Sequence, residues 1–92
     1  MTEQQIQSKI INFLRDEGHL CIKNMAVTLA GMPDITVITK LGTFYIEVKK
    51  PGGRLSKIQE HVIAKIRALD QTVFITDDLK SFKEEYTEWK MS

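Results

Sequence analysis

The chain has 92 residues, 42% of them hydrophobic and 27% charged, with a formal net charge of +1. That length suits one domain, residues 1–92, able to bury about 60–65% of its unfolded surface; no apolar run suffices for a membrane span or a signal peptide. One cysteine, Cys21, excludes an intrachain disulfide framework and fits a cytoplasmic location; with only His19 and His61 beside it, a structural zinc site is not expected.

The spacing of Ile6, Ile10, Phe13 and Leu14 predicts a helix from Thr2 to Glu17. Thr2 and Gln5 form a capping-box pattern at its start, and Gly18 ends it. Leu20 to Leu29 reads as a strand with broken alternation at Lys23-Asn24. Asp34 to Thr39 carries the β-branched run Ile-Thr-Val-Ile-Thr and reads as a second strand. Lys40-Leu41-Gly42 is a turn, and Thr43 to Lys49 is the other arm of a hairpin.

Pro51-Gly52-Gly53 breaks the pattern. Ser56 then caps a helix to about Leu69 whose expected inner stripe is Ile58, Val62, Ile66 and Leu69. Thr72 to Thr76 is a short buried strand. Asp77-Asp78 opens a last helix with Leu79, Phe82, Tyr86 and Trp89 on one stripe. The order αβββαβ plus a C-terminal helix is that of an α/β chain with a mixed sheet. Tyr86 and Trp89 suit a core or a subunit contact better than a base-stacking platform.

Charge is uneven along the chain. Between Lys40 and Arg67 seven basic residues face two acids, Glu47 and Glu60, whereas from Asp70 onward six acids face three lysines. A basic middle attracts a polyanion, although charge alone equally describes a solvated face. Lys23, Lys50, Arg54 and Lys57 are the candidates for phosphate contacts.

Within the hairpin, residues two apart share a face. Phe44, Ile46 and Val48 therefore point to the core, and Tyr45, Glu47 and Lys49 point away from it. An acid and a lysine side by side can be a plain surface ion pair of little weight. Asp34 adds a second carboxylate. With Leu41-Gly42 as the loop, Thr36 opposes Glu47 and Asp34 opposes Lys49. Asp34 then lies diagonally across from Glu47, within joint reach of a divalent metal, with an ammonium nearby for a phosphate. A three-residue loop would turn Asp34 to the other face.

Glu3 lies on the apolar side of the first helix; it is either a third ligand or an acid favoured by the helix dipole. Gln59 completes the capping box Ser56-Lys57-Ile58-Gln59, which explains it without function, and it could also orient Lys49 or a phosphate.

Taken in order, these motifs resemble the virus-type replication-repair nuclease (VRR-Nuc) family of the PD-(D/E)XK nuclease superfamily. The likeness runs from Glu3 through Gly31-Met32-Pro33-Asp34, Ile46-Glu47-Val48-Lys49 and Pro51-Gly52-Gly53-Arg54-Leu55-Ser56 to Gln59, with no expected position replaced. It implies a restriction endonuclease-like core. It implies Mg²⁺ or Mn²⁺ held by Glu3, Asp34, Glu47 and the Val48 carbonyl, with Lys49 as the active-site lysine and Gln59 in support. It further implies a DNA endonuclease, dimeric and selective for branched DNA such as Holliday junctions or flaps, in phage or prophage replication, recombination or repair. Between acids, Lys49 suits positioning of water and stabilisation of phosphorane charge better than general-base work. Other readings are a restriction-like nuclease of linear duplex, a non-catalytic nucleic-acid-binding module, and an interaction protein dimerising through the Tyr86/Trp89 helix.

Overall fold

The computed structural model describes residues 1–25 and 28–92. Its elements are α1 (Glu3–Asp16), β1 (Leu20–Lys23), β2 (Ile35–Thr39), β3 (Gly42–Val48), α2 (Lys57–Ala68), β4 (Thr72–Thr76) and α3 (Leu79–Met91). The order is the expected one, and the chain is an α+β fold with one four-stranded mixed sheet. Strands β1, β2 and β3 are antiparallel neighbours, and β4 joins parallel to β3. A parallel neighbour needs a long crossover, which α2 supplies.

The two sheet faces are built differently. On one face Ile35, Val37, Phe44, Ile46, Val48 and Phe74 meet Ile6, Ile10, Leu14, Phe82 and Tyr86 from α1 and α3 in a single buried cluster. Tyr86 stacks on Phe82 at 5.7 Å and meets Phe13 edge-on, and Trp89 packs against Phe44 at 4.8 Å. These aromatics are core residues, as their spacing suggested. The opposite face holds the polar residues of β2 and β3, and α2 packs on that face at β4, where Val62, Ile63 and Val73 are buried.

Capping chemistry sets two helix starts as the sequence indicates. Thr2 and Gln5, and Ser56 and Gln59, both form reciprocal capping boxes. Asp78 caps α3 through its bond from the Ser81 N–H.

Three expectations need correction. The first strand ends at Lys23, not Leu29, because Asn24 turns its side chain into hydrogen bonds with Pro33 and Thr36 instead of extending the strand; residues 26–27 of the expected strand lie outside the described residues. The hairpin loop is Lys40-Leu41, with Thr39 opposite Gly42. The Thr39 hydroxyl donates to the Gly42 carbonyl and accepts from the Leu41 N–H, closing a two-residue loop one residue earlier than expected and shifting the pairing by two. Helix α2 is rotated from the expected stripe. Ile58 and Leu69 are exposed, and the inward residues are Gln59, Val62, Ile63 and Ile66.

The start of α2 lies against Gly31, which has φ +85°. A Cβ there would stand 2.9 Å from the Ile58 carbonyl oxygen and 3.0 Å from its carbon. Gly31 thus lets the loop before Asp34 lie directly on the start of α2.

Gly31→Ala should therefore destabilise the protein by about 3 kcal/mol, from left-handed backbone strain plus overpacking. Gly52 has φ +79° in open space, so Gly52→Ala should cost only about 1 kcal/mol. Urea titrations of the two variants check the difference, and equal losses would refute the close-approach explanation.

Candidate functional site

The site grows from the polar face of the hairpin. Extending the observed register by one residue beyond Ile35 and Ile46 puts Asp34 directly opposite Glu47. The sequence placed it diagonally, one pair away. Because the shift is two residues, Asp34 stays on the same face and the two carboxylates come closer together.

Glu47 is 1% exposed. Its Oε2 faces the Lys49 Nζ at 3.7 Å and accepts a long hydrogen bond of 3.5 Å from the Gln59 Nε2. Its Oε1 is buried and has no hydrogen-bond partner. The Glu47 carboxyl is pushed up to about 8, first by burial and then by the charge of the neighbouring Asp34. Lys49 opposes that rise, and Glu3 adds a smaller push in the same direction.

Asp34 is half-buried, and its Oδ2 accepts a 2.9 Å bond from the Val48 N–H. That bond ties one end of β2 to β3 just where the carboxylates meet. Lys49 follows β3, and its own N–H donates to the Thr76 carbonyl at 2.9 Å, so the parallel strand β4 fixes the lysine's backbone.

Gln59 does two things with one amide. Its Oε1 accepts from the Ser56 N–H at 2.9 Å, completing the cap, while its Nε2 reaches Glu47. The rotation of α2 makes this possible, since Gln59 lies on the true inward stripe.

Asp34, Glu47, Lys49 and Gln59 are therefore brought together. Glu3 is half-buried at the start of α1 and its charge reaches Glu47. It does not complete a cluster, because among the described residues no three Asp, Glu, His or Cys side chains converge tightly enough to cage an ion. The donors present at close range are the two carboxylates, with the Val48 carbonyl beside them in sequence. Such a sparse oxygen set suits Mg²⁺, which keeps several waters. The orphaned Glu47 Oε1 is the observation that fits a cation, since a buried unpartnered carboxylate oxygen is costly without one.

Lys23, Lys50, Arg54 and Lys57 are all exposed. Among the described residues none of them forms a salt bridge, so all four charges are available to a polyanion. A cleft of about 250 Å³ opens beside Lys49 and Gly53, but Asp34 and Glu47 are absent from its wall. Lys49 lies between that cleft and the carboxylates, of which Glu47 is buried and Asp34 half-buried.

Sequence reasoning missed Asn24, which bonds to both Pro33 and Thr36. Its only signal was the interrupted alternation at Lys23-Asn24. Among the described residues no helix is long and apolar enough to cross a membrane.

A family model described as the VRR-NUC domain matches residues 1–76, from α1 through β4. A solved structure described as a VRR_NUC domain superposes with a TM-score of 0.82 at 23% identity, covering 91% of this chain and 94% of that one. At that identity the superposition speaks for the fold. A comparison with curated proteins finds no match.

The raised Glu47 carboxyl has a thermodynamic consequence. Between its ordinary value of 4.5 and about 8, folded Glu47 holds a proton that the unfolded chain has released. Glu47's contribution to stability should therefore fall as pH rises through that window. In chelator-containing buffer at pH 9, Glu47→Gln should raise the melting temperature by about 4 °C or more, equivalent to roughly 1 kcal/mol, and flatten the pH dependence. A variant less stable than wild type at pH 9 would show that the carboxylate is not under strain.

Proposed function

The chain belongs to the VRR-NUC domain family, a nuclease-type family, and from that premise we propose that it is a metal-dependent DNA endonuclease selective for branched DNA. The single observation that carries the reading is the buried Glu47 carboxylate, with one oxygen unpartnered, set directly against Asp34. Asp34, Glu47 and the Val48 carbonyl, with Glu3 in an outer position, would hold Mg²⁺ or Mn²⁺, which when bound supplies Lewis-acid polarisation and charge neutralisation at the phosphate.

The chain's own residues account for the remaining requirements. The Val48 N–H fixes one Asp34 oxygen, leaving the other free. The Gln59 amide and the Lys49 ammonium both approach Glu47 Oε2, which orients the carboxylate. Lys49 is 16% exposed, so its charge can meet a phosphate lying on the surface. There it positions the attacking water and stabilises charge gathering on the phosphoryl oxygens. The water oxygen bonds to phosphorus in line as the bond to the 3′ oxygen breaks. The products are a 5′-phosphate and a 3′-hydroxyl, the water's proton passing overall to the leaving oxygen. Lys23, Lys50, Arg54 and Lys57 hold flanking phosphates, making binding salt-dependent.

Branched substrate and a homodimer belong together in this reading. A 92-residue domain offers little surface for gripping two duplex arms, and two copies would present two sites.

The test is cleavage of labelled linear duplex, flap and four-way junction DNA with Mg²⁺, Mn²⁺ or EDTA. Cleavage should need the metal, favour branched DNA, and fall at least about 100-fold in Asp34→Ala. Lys49→Arg should lose about 10-fold or more, because a planar guanidinium replaces a compact ammonium. Binding without cleavage of any substrate would replace the nuclease with a non-catalytic binding module.

A further inference from the structure

We propose that Asn24 is a positioning residue that sets the backbone of Asp34, and through it the aim of the Asp34 carboxylate. The proposal rests on the reading of Asp34 as a metal ligand.

The paired residues of β1 and β2 end at Lys23 and Ile35, so Asp34 lies at the very end of the sheet. The segment from Gly31 to Asp34 has no regular structure of its own. The ladder register reaches Asp34 only through its carbonyl, so the peptide plane before Asp34 must be held by something else. Asn24 is half-buried and makes the required contacts. Its main-chain N–H donates to the Asp34 carbonyl at 2.8 Å. Its Nδ2 donates to the Pro33 carbonyl at 2.9 Å.

Those two carbonyls belong to the two peptide planes that flank the Asp34 Cα. Each plane is rigid, so fixing both fixes φ and ψ of Asp34. The Val48 N–H then fixes the carboxylate itself at Oδ2. Backbone and side chain of Asp34 are thereby determined from opposite sides, by β1 and by β3.

The Asn24 amide is in turn held by Thr36, whose hydroxyl accepts from Nδ2 at 3.0 Å and lies 3.3 Å from Oδ1. Thr36 and Asp34 are two apart in sequence and face the same way. An amide meets these needs, because it both donates to a carbonyl and exchanges bonds with a hydroxyl. An aspartate would present only acceptors to the Pro33 carbonyl and would add charge beside Asp34. Supporting groups of this kind typically tune metal affinity by about 10–100-fold.

The experiment measures Mn²⁺ binding by calorimetry without DNA, together with thermal stability and steady-state cleavage, in Asn24→Ala, Thr36→Val, the double variant and Asp34→Ala. Asn24→Ala should weaken Mn²⁺ binding about 10-fold and lower kcat at limiting metal, with KM for DNA unchanged. Thr36→Val keeps the Pro33 contact, so it should lose less, and the two changes should be non-additive. Thr36→Val also supplies the answer if Asn24→Ala does not fold: unaltered Mn²⁺ affinity in it would then overturn the proposal. An Asn24→Ala protein that melts lower but binds Mn²⁺ as wild type would make Asn24 merely structural and overturn it too. Should Asp34→Ala itself bind Mn²⁺ and cleave normally, the assignment of Asp34 fails first, which is a separate result from an unaffected Asn24→Ala beside a dead Asp34→Ala.

Discussion

The carboxylate of Glu47 is the constraint around which the polar half of the molecule is arranged. A buried acid facing another acid is unfavourable in both available states. Ionised, it suffers desolvation and the repulsion of Asp34; protonated, it forgoes the attraction of Lys49. The structure compensates it on one oxygen only, through Lys49 and Gln59, and leaves the other without a partner. Every element near it limits its freedom to escape. Strand β3 fixes its backbone, and α2, whose start lies against Gly31, brings Gln59 to it. Under the proposed reading, a cation bound there would meet carboxylates already held in place, which is what electrostatic preorganisation requires.

Such strain is tolerable because stability is concentrated elsewhere. The sheet's other face carries the aromatic cluster of Phe13, Phe44, Phe74, Phe82, Tyr86 and Trp89. Helix α3 contributes three of these rings, although it lies beyond the residues matched by the family model. Tyr86 also anchors α3 to the turn after α1 through its hydroxyl, which contacts the His19 ring at 2.6 Å and donates to Glu17 at 3.3 Å. Burial and the neighbouring Glu17 charge push that phenol up to about 12, so it remains a neutral donor. The division is by sheet face: one face carries the packing, and the other carries the charges.

Much of this was legible in the chain because the relevant signals are local. The β-branched run marked β2, both capping boxes marked helix starts, and the Glu-x-Lys spacing placed two side chains on one face. Asp34 was put on the correct face even though the register was wrong, because a two-residue slip preserves the alternation. What failed was whatever depends on contacts between distant segments. The hairpin closed at Lys40-Leu41 because the Thr39 hydroxyl bridges the turn, a bond that propensity does not encode. The stripe of α2 was misjudged because Ile58 and Leu69 are apolar yet exposed; the start of the helix lies against Gly31, a contact between segments far apart in sequence. Asn24 went unnoticed because its three partners are nine to twelve residues away.

Gln59 shows why a structural and a functional explanation of one residue need not compete. A capping box accepts glutamate as readily as glutamine at its third position, since either supplies the oxygen that takes the cap residue's N–H. The cap therefore does not explain why this position is an amide. The site does. With Oε1 committed to Ser56, the remaining atom of the side-chain head turns toward Glu47. In glutamine that atom is a donor; in glutamate it would be another anionic oxygen against an acid already raised by its neighbours. Helix initiation thus fixes where the head group sits, and the buried carboxylate decides which head group it must be.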